Sequence, residues 1–128
     1  MPRTKILVYK ELEGNAPFIT WLDSLPQKSR DKCLRALIRL EHMGRELRRP
    51  EADFLRDGIC ELRVQFGSNK YRILYFFHQR KKDEKDEIVI VSHGFLKNTS
   101  KVPVQEIELA IKRKSDYVKN SFLHTLPL

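Results

Sequence analysis

The chain predicts an α+β domain on a mostly antiparallel sheet of about four strands, in the order βααβββα. Three observations carry that reading. Residues 60–66 alternate, with Cys60, Leu62, Val64 and Phe66 on one face and Glu61, Arg63 and Gln65 on the other, which is the period of a half-buried strand. Residues 26–43 repeat their apolar positions at helical spacing instead. Glycine and proline clusters cut the rest into short segments, with no internal repeat or low-complexity stretch.

The first strand is expected over 3–10, around Ile6-Leu7-Val8-Tyr9, and Gly14-Asn15-Ala16-Pro17 ends it. Phe18, Ile19, Trp21, Leu22 and Leu25 then recur at helical spacing and define a short helix bounded by Ser24 and Pro26. Pro26 suits the first turn of a second helix, where a missing N–H forfeits no intrahelical bond, and that helix runs to about Met43. It gathers Cys33, Leu34, Leu37, Ile38 and Leu40 on one side, while Lys28, Lys32, Arg35 and Arg39 point elsewhere. Gly44 is the expected C-cap. The basic residues between Lys28 and Arg49 read either as an electrostatic footprint on RNA or as a solvated helix face.

The strand from Cys60 turns at Gly67-Ser68-Asn69 and returns over 71–77, apolar on both faces except for Arg72, so the two form a hairpin. Residues 78–86 mix charges without an apolar anchor and read as an exposed loop before a strand at 87–92. Pro103 opens the last helix, in which Val104, Ile107, Ala110, Ile111 and Tyr117 share a face and Lys112, Arg113 and Lys114 lie near the end. The tail from about Asn120 is expected to be loosely ordered.

A chain of 128 residues with 41% hydrophobic content suits one domain over 1–128. Its 25 Lys and Arg against 17 Asp and Glu leave a net charge of +8, which favours a polyanionic partner: nucleic acid first, an acidic protein second. Cys33 and Cys60 lack metal-ligand spacing and read as reduced core residues rather than a disulfide. No run approaches the roughly 18 to 20 apolar residues that span a bilayer, and no leader-like apolar segment opens the chain, so a soluble cytoplasmic protein is expected, with no membrane partner. His42, His78 and His124 are scattered without a carboxylate cluster, and no phosphate-cradling glycine loop, Cys-His dyad or Ser-His-Asp order is visible. Neither a metal nor a cofactor is expected.

The segment His93-Gly94-Phe95-Leu96-Lys97-Asn98-Thr99-Ser100-Lys101 follows the run Ile88-Val89-Ile90-Val91 directly. At the mouth of a strand it would offer an imidazole that moves protons near neutral pH and ammonium groups that stabilise charge on a phosphorane. That is the chemistry of RNA cleavage without a metal. A basic turn between a strand and a helix explains the same residues.

Five ordered pieces make the chain resemble the RelE/ParE superfamily of toxins from type II toxin–antitoxin systems, most closely the phage-derived HigB-like branch. They are Trp21-Leu22-Asp23-Ser24-Leu25-Pro26, the stretch Leu55 to Arg63, Tyr71-Arg72-Ile73-Leu74-Tyr75, His93-Gly94-Phe95 with Lys97, Thr99 and Lys101, and Pro103 with Glu106-Ile107. The resemblance implies a RelE-like fold with the two N-terminal helices packed on one face of the sheet, and a ribosome-dependent endoribonuclease that cuts mRNA. It also implies a cognate antitoxin, of helix-turn-helix type, as partner alongside mRNA and the ribosome. ParE-like members share the fold and inhibit DNA gyrase, so fold alone does not choose the activity. Asn98 stands where the family often has a second lysine, which leaves room for an inactive phage-derived remnant that only binds its antitoxin. Val102 stands where a Ser or Thr could cap the last helix.

For attack of a ribose 2′-OH on the adjacent phosphate, the catalytic candidates are His93, Arg63, Arg72 and Lys97. His93 takes a proton-transfer role, as base, or is simply hydrogen-bonded in a turn. Arg63 grips the phosphate with its planar fork of donors or pairs with Glu61 or another acid. Arg72 reaches the site or pairs internally, and the resemblance favours the phosphate. Lys101, Phe95, Tyr75, Thr99 and Gln65 are the RNA-binding candidates. Against these readings stand solvation for Lys97 and Lys101, and core packing for Phe95 and Tyr75.

Overall fold

The computed structural model describes residues 4–128; residues 1–3, which include the first position of the expected first strand, lie outside it. The order is β1 (Thr4–Tyr9), α1 (Pro17–Ser24), α2 (Gln27–Met43), a 3₁₀ turn (Gly44–Glu46), β2 (Ala52–Arg56), β3 (Ile59–Phe66), β4 (Asn69–Phe77), β5 (Glu87–Leu96), α3 (Val104–Lys119) and β6 (Thr125–Pro127). The strands form one sheet in the order β2-β3-β4-β5-β1-β6. β1 and β5 are parallel and every other neighbouring pair is antiparallel, so the sheet is mixed.

Six strands replace the expected four. β2 is a five-residue edge strand whose sequence, Ala-Asp-Phe-Leu-Arg, has no clean period; pairing with β3 orders it. β6 lies in the tail expected to be loose. It pairs Leu7 with Pro127 and Tyr9 with Thr125, and the His124 ring stacks on Tyr9 with centroids 5.3 Å apart. These partners are more than a hundred residues away, so local composition gives no sign of them.

Alternation along the strands sorts the core into two layers. On one face Phe18 and Leu22 of α1 and Cys33, Leu37 and Leu40 of α2 pack on Val8, Leu62, Val64, Ile73, Tyr75, Val89 and Val91. On the other, Ala110 and Tyr117 of α3 pack on Tyr9, Ile59, Leu74, Phe76, Ile90 and Phe95. Each large side chain withdrawn from water contributes about 1.5–3 kcal/mol. The buried stripe of α2 is narrower than its periodicity suggested, and Ile38 is exposed. Val104, expected on the buried face of α3, is exposed as well. Cys33 and Cys60 are free and buried.

Two glycines are required by their surroundings. Gly44 ends α2 at φ +55°, with its N–H donating to the Leu40 carbonyl, and a Cβ there would lie 2.7 Å from Thr4 Oγ1 and closer to Glu87. A Cβ on Gly94 would run into the Trp21 ring, so the glycine of the His93-Gly94-Phe95 segment is what lets α1 lie against β5. No helix among the described residues is long and apolar enough to cross a membrane.

Candidate functional site

The candidate site is built by the register of three strands. The β3–β4 hairpin closes with Phe66 opposite Asn69, a two-residue loop, and this places Gln65 opposite Lys70, Arg63 opposite Arg72 and Glu61 opposite Leu74. β4 in turn sets Arg72 opposite Phe95 and Leu74 opposite His93. Directly opposed residues share a face. Arg63, Lys70 and Arg72 therefore stand on the α3 face of the sheet with His93 and Phe95, and the Lys97 N–H donates to the Lys70 carbonyl at 2.7 Å.

β5 reaches Leu96 rather than stopping at 92, so His93 is inside the strand and not at its mouth. The register shifts between Leu74 and Tyr75, leaving Ser92 as the extra residue of a bulge. Without it, His93 and Phe95 would face α1 and α2.

Both arginines meet Glu61, which is itself buried. Arg72 is 9% exposed, with Nε 2.7 Å from Glu61 Oε1 and Nη1 donating to the Tyr71 carbonyl at 3.0 Å. Arg63 Nε lies 3.6 Å from the same oxygen, and its Nη2 is 3.6 Å from Asp53 Oδ2. The Glu61 contacts are ion pairs set off the N–H direction: the Nε–H groups of both arginines are buried without an acceptor in hydrogen-bonding geometry. Asp53 is held more tightly by Arg49, at 2.6 Å, and that pairing is the main reason its carboxyl titrates below the usual range. The Lys97 ammonium is lowered by partial burial and by the nearby Arg72 and Lys70 charges. Four cations thus share this end of the face with two carboxylates.

His93 is 7% exposed and both ring nitrogens are engaged. With Nε2–H donating to Glu106 Oε1 on α3 at 3.2 Å, Nδ1 accepts from Ser92 Oγ at 2.8 Å. Burial, reinforced by Arg113, lowers its pKa to about 4, so the ring is neutral at pH 7. Burial also raises the Glu106 carboxyl. Arg113 is anchored by Nη1 donating to the Ser92 carbonyl at 3.1 Å, and its guanidinium stands 5.0 Å over the Tyr9 ring.

Of the residues singled out by sequence, Arg63, Arg72, His93, Phe95 and Gln65 share this face, and Lys97 follows at its edge. Tyr75 does not. It points into the α1–α2 layer, 2% exposed, because it is one residue out of phase with Leu74 and Phe76. Phe95 is packed in the α3-side core, so its ring is no open platform for a base. Thr99 donates to the Lys101 carbonyl within an exposed turn, and Lys101 is exposed. Sequence reasoning set Glu61 on the face of Arg63 as its alternative partner, but gave Lys70 and Glu106 no part in the site. Counting back from a two-residue loop at Gly67-Ser68 would have put Lys70 on the face of Arg63, whereas Glu106 meets His93 only through the packing of α3. Among the described residues no three His, Cys, Asp or Glu side chains are grouped to hold a metal ion.

No curated protein matches the chain. A family model described as "Phage derived protein Gp49-like (DUF891)" matches residues 20–115, which is most of the chain and includes every residue of the cation cluster. The chain belongs to this phage-derived Gp49-like family.

Proposed function

We propose that the chain is the toxin of a type II toxin–antitoxin pair, of the RelE/ParE superfamily and its HigB-like branch, and that it cuts mRNA on the ribosome in the cytoplasm. Membership of the Gp49-like family is consistent with a toxin. The observation that carries the catalytic reading is the cluster of Arg63, Lys70, Arg72 and Lys97 on one sheet face, with Lys70 exposed and Arg63 and Lys97 partly exposed.

Guanidinium and ammonium groups gathered in this way suit a phosphate. As a ribose 2′-oxygen attacks the adjacent phosphorus and the bond to the 5′-oxygen breaks, negative charge builds on the non-bridging oxygens, and planar guanidinium forks with a lysine stabilise it. The 2′-OH gives up a proton, the departing 5′-oxygen takes one, and a cyclic phosphate remains. His93 serves proton transfer in this reading only after Glu106 has left Nε2; while the two are paired, the ring positions α3 on β5. A cognate antitoxin of helix-turn-helix type holds the toxin inactive.

The test is to add purified chain to a translating extract and map mRNA ends. Cutting that leaves cyclic phosphates, is blocked by a 2′-deoxy nucleotide at the cut position and falls about 100-fold in Arg63→Gln supports the reading. Intact mRNA with inhibited DNA supercoiling would replace it with a gyrase inhibitor, and neither effect would make the chain an inactive remnant.

A further inference from the structure

On the other face of the sheet, where the end of α2 and the turn after it lean over β2 and β3, there is a cavity of about 290 Å³. Leu47, Cys60, Tyr75 and Phe77 give it an apolar floor, and Arg45, Arg48 and Arg49 stand around it with Phe54. Phe54 is 58% exposed, a large ring left in water beside an apolar hollow. A second cavity of about 650 Å³ shares Arg45, Phe54 and Phe77, so the groove continues around this end of the sheet to Arg80, Lys81 and Lys114.

The chemistry of the rim is visible in the partners it already has. Arg49 holds the Asp53 carboxylate, with Nε donating at 2.8 Å, and Arg45 holds Glu87 through Nε at 3.1 Å and its backbone N–H at 3.0 Å. Arg48 has no carboxylate among the described residues; its guanidinium lies 5.5 Å from the centre of the Phe54 ring. Two amides of the edge strand are occupied, Ala52 N–H by the Arg48 carbonyl at 3.2 Å and Phe54 N–H by Asp53 Oδ1 at 2.9 Å. An incoming chain therefore engages this edge by side chains rather than by extending the sheet.

We propose that the groove docks an acidic protein segment that seats an apolar side chain against Phe54 and Leu47 and sets carboxylates against Arg48 and its neighbours. An apolar floor with few hydrogen-bonding groups suits a leucine or phenylalanine better than the polar edge of a nucleobase. A second copy of this chain is opposed by its own charge of +8. The first cavity, where the segment seats, lies on the α1–α2 side, so this proposal stands whether or not the opposite face cuts RNA.

The test uses the full chain and a fluorescein-labelled acidic peptide of about four helical turns, with Leu at i, i+3, i+4 and i+7 and Glu elsewhere, followed by anisotropy. Arg48→Glu and Phe54→Ser, both at exposed positions, are each expected to weaken binding by about tenfold, with Lys28→Glu on the outer face of α2 unchanged. Replacing the peptide's leucines by serine should abolish binding. The proposal is overturned if the peptide does not bind, if Lys28→Glu weakens it as much as Arg48→Glu, or if the serine peptide binds equally well. It is also overturned if a short RNA displaces the peptide from this groove, or if sedimentation finds a dimer that Phe54→Ser dissolves.

Discussion

Between about pH 7 and pH 5, above the range in which the depressed Asp53 carboxyl acts, acid should destabilise this protein through His93. Its ring lies between Ser92 and Glu106, and burial with the Arg113 charge brings its pKa from 6.5 to about 4. Each pKa step of one is worth about 1.4 kcal/mol, so protonating the folded ring costs roughly 3 kcal/mol more than protonating it in the unfolded chain. The folded value is the lower of the two. The unfolded chain therefore takes up the proton first as pH falls, and the contribution is whole above about pH 7, drains between 6.5 and 4, and is flat below. At about pH 5 the loss amounts to roughly 2 kcal/mol. Glu106, raised by burial, acts in the opposite direction, and it is retained in the comparison protein His93→Gln. Urea unfolding of both proteins at about pH 7.5 and about pH 5 measures the difference. The wild type should lose roughly 2 kcal/mol more than His93→Gln; equal losses would refute the buried, neutral imidazole and the geometry built on it.

Gly94→Ala should lower stability by about 1–3 kcal/mol in chemical denaturation, because its Cβ meets the Trp21 ring. An unchanged midpoint would mean that α1 does not press on β5. Glu61→Gln strips the carboxylate from buried Arg72 and should cost about 3–5 kcal/mol, read as a large fall in Tm. If Tm holds, Arg72 is solvated rather than paired. Burial pushes the Cys33 and Cys60 thiols up to about 11, so neither should react with a thiol reagent at neutral pH until denaturant is added. Prompt native-state labelling of either would contradict its packing.

Much of the fold was legible where periodicity was strong. The alternation from Cys60 to Phe66 and the return from Tyr71 to Phe77 are a hairpin as expected, and Gly44 caps α2. What could not be read has a common cause in non-local pairing. β2 and β6 are short, and they are ordered by β3 and β1 rather than by their own residues. The face of Arg63 followed from its strand, but the face of His93 depends on the single extra residue Ser92, and local sequence does not say whether a polar residue in an apolar run is a bulge. Arg72 illustrates both sides. Its isolation in an apolar strand signalled a special role, and the structure pairs it with Glu61 and holds its Nη1 on the Tyr71 carbonyl. For Tyr75, counting two residues at a time from Ile73 would have assigned it to the face opposite Arg72 and Leu74.

In the proposed reaction Arg63, Arg72 and Lys97, brought together by strand register, hold the phosphate that is cut. Arg63 and Lys97 are the members to change, because neither is fully buried and their removal should leave the fold intact, as circular dichroism would verify. Sequencing mRNA ends across translating cells that express the wild type, Arg63→Gln or Lys97→Gln measures what these two side chains contribute to cutting. New internal ends with the wild type, reduced about 100-fold in either variant at equal protein level, are the predicted result; the same ends at the same frequency in all three would contradict it.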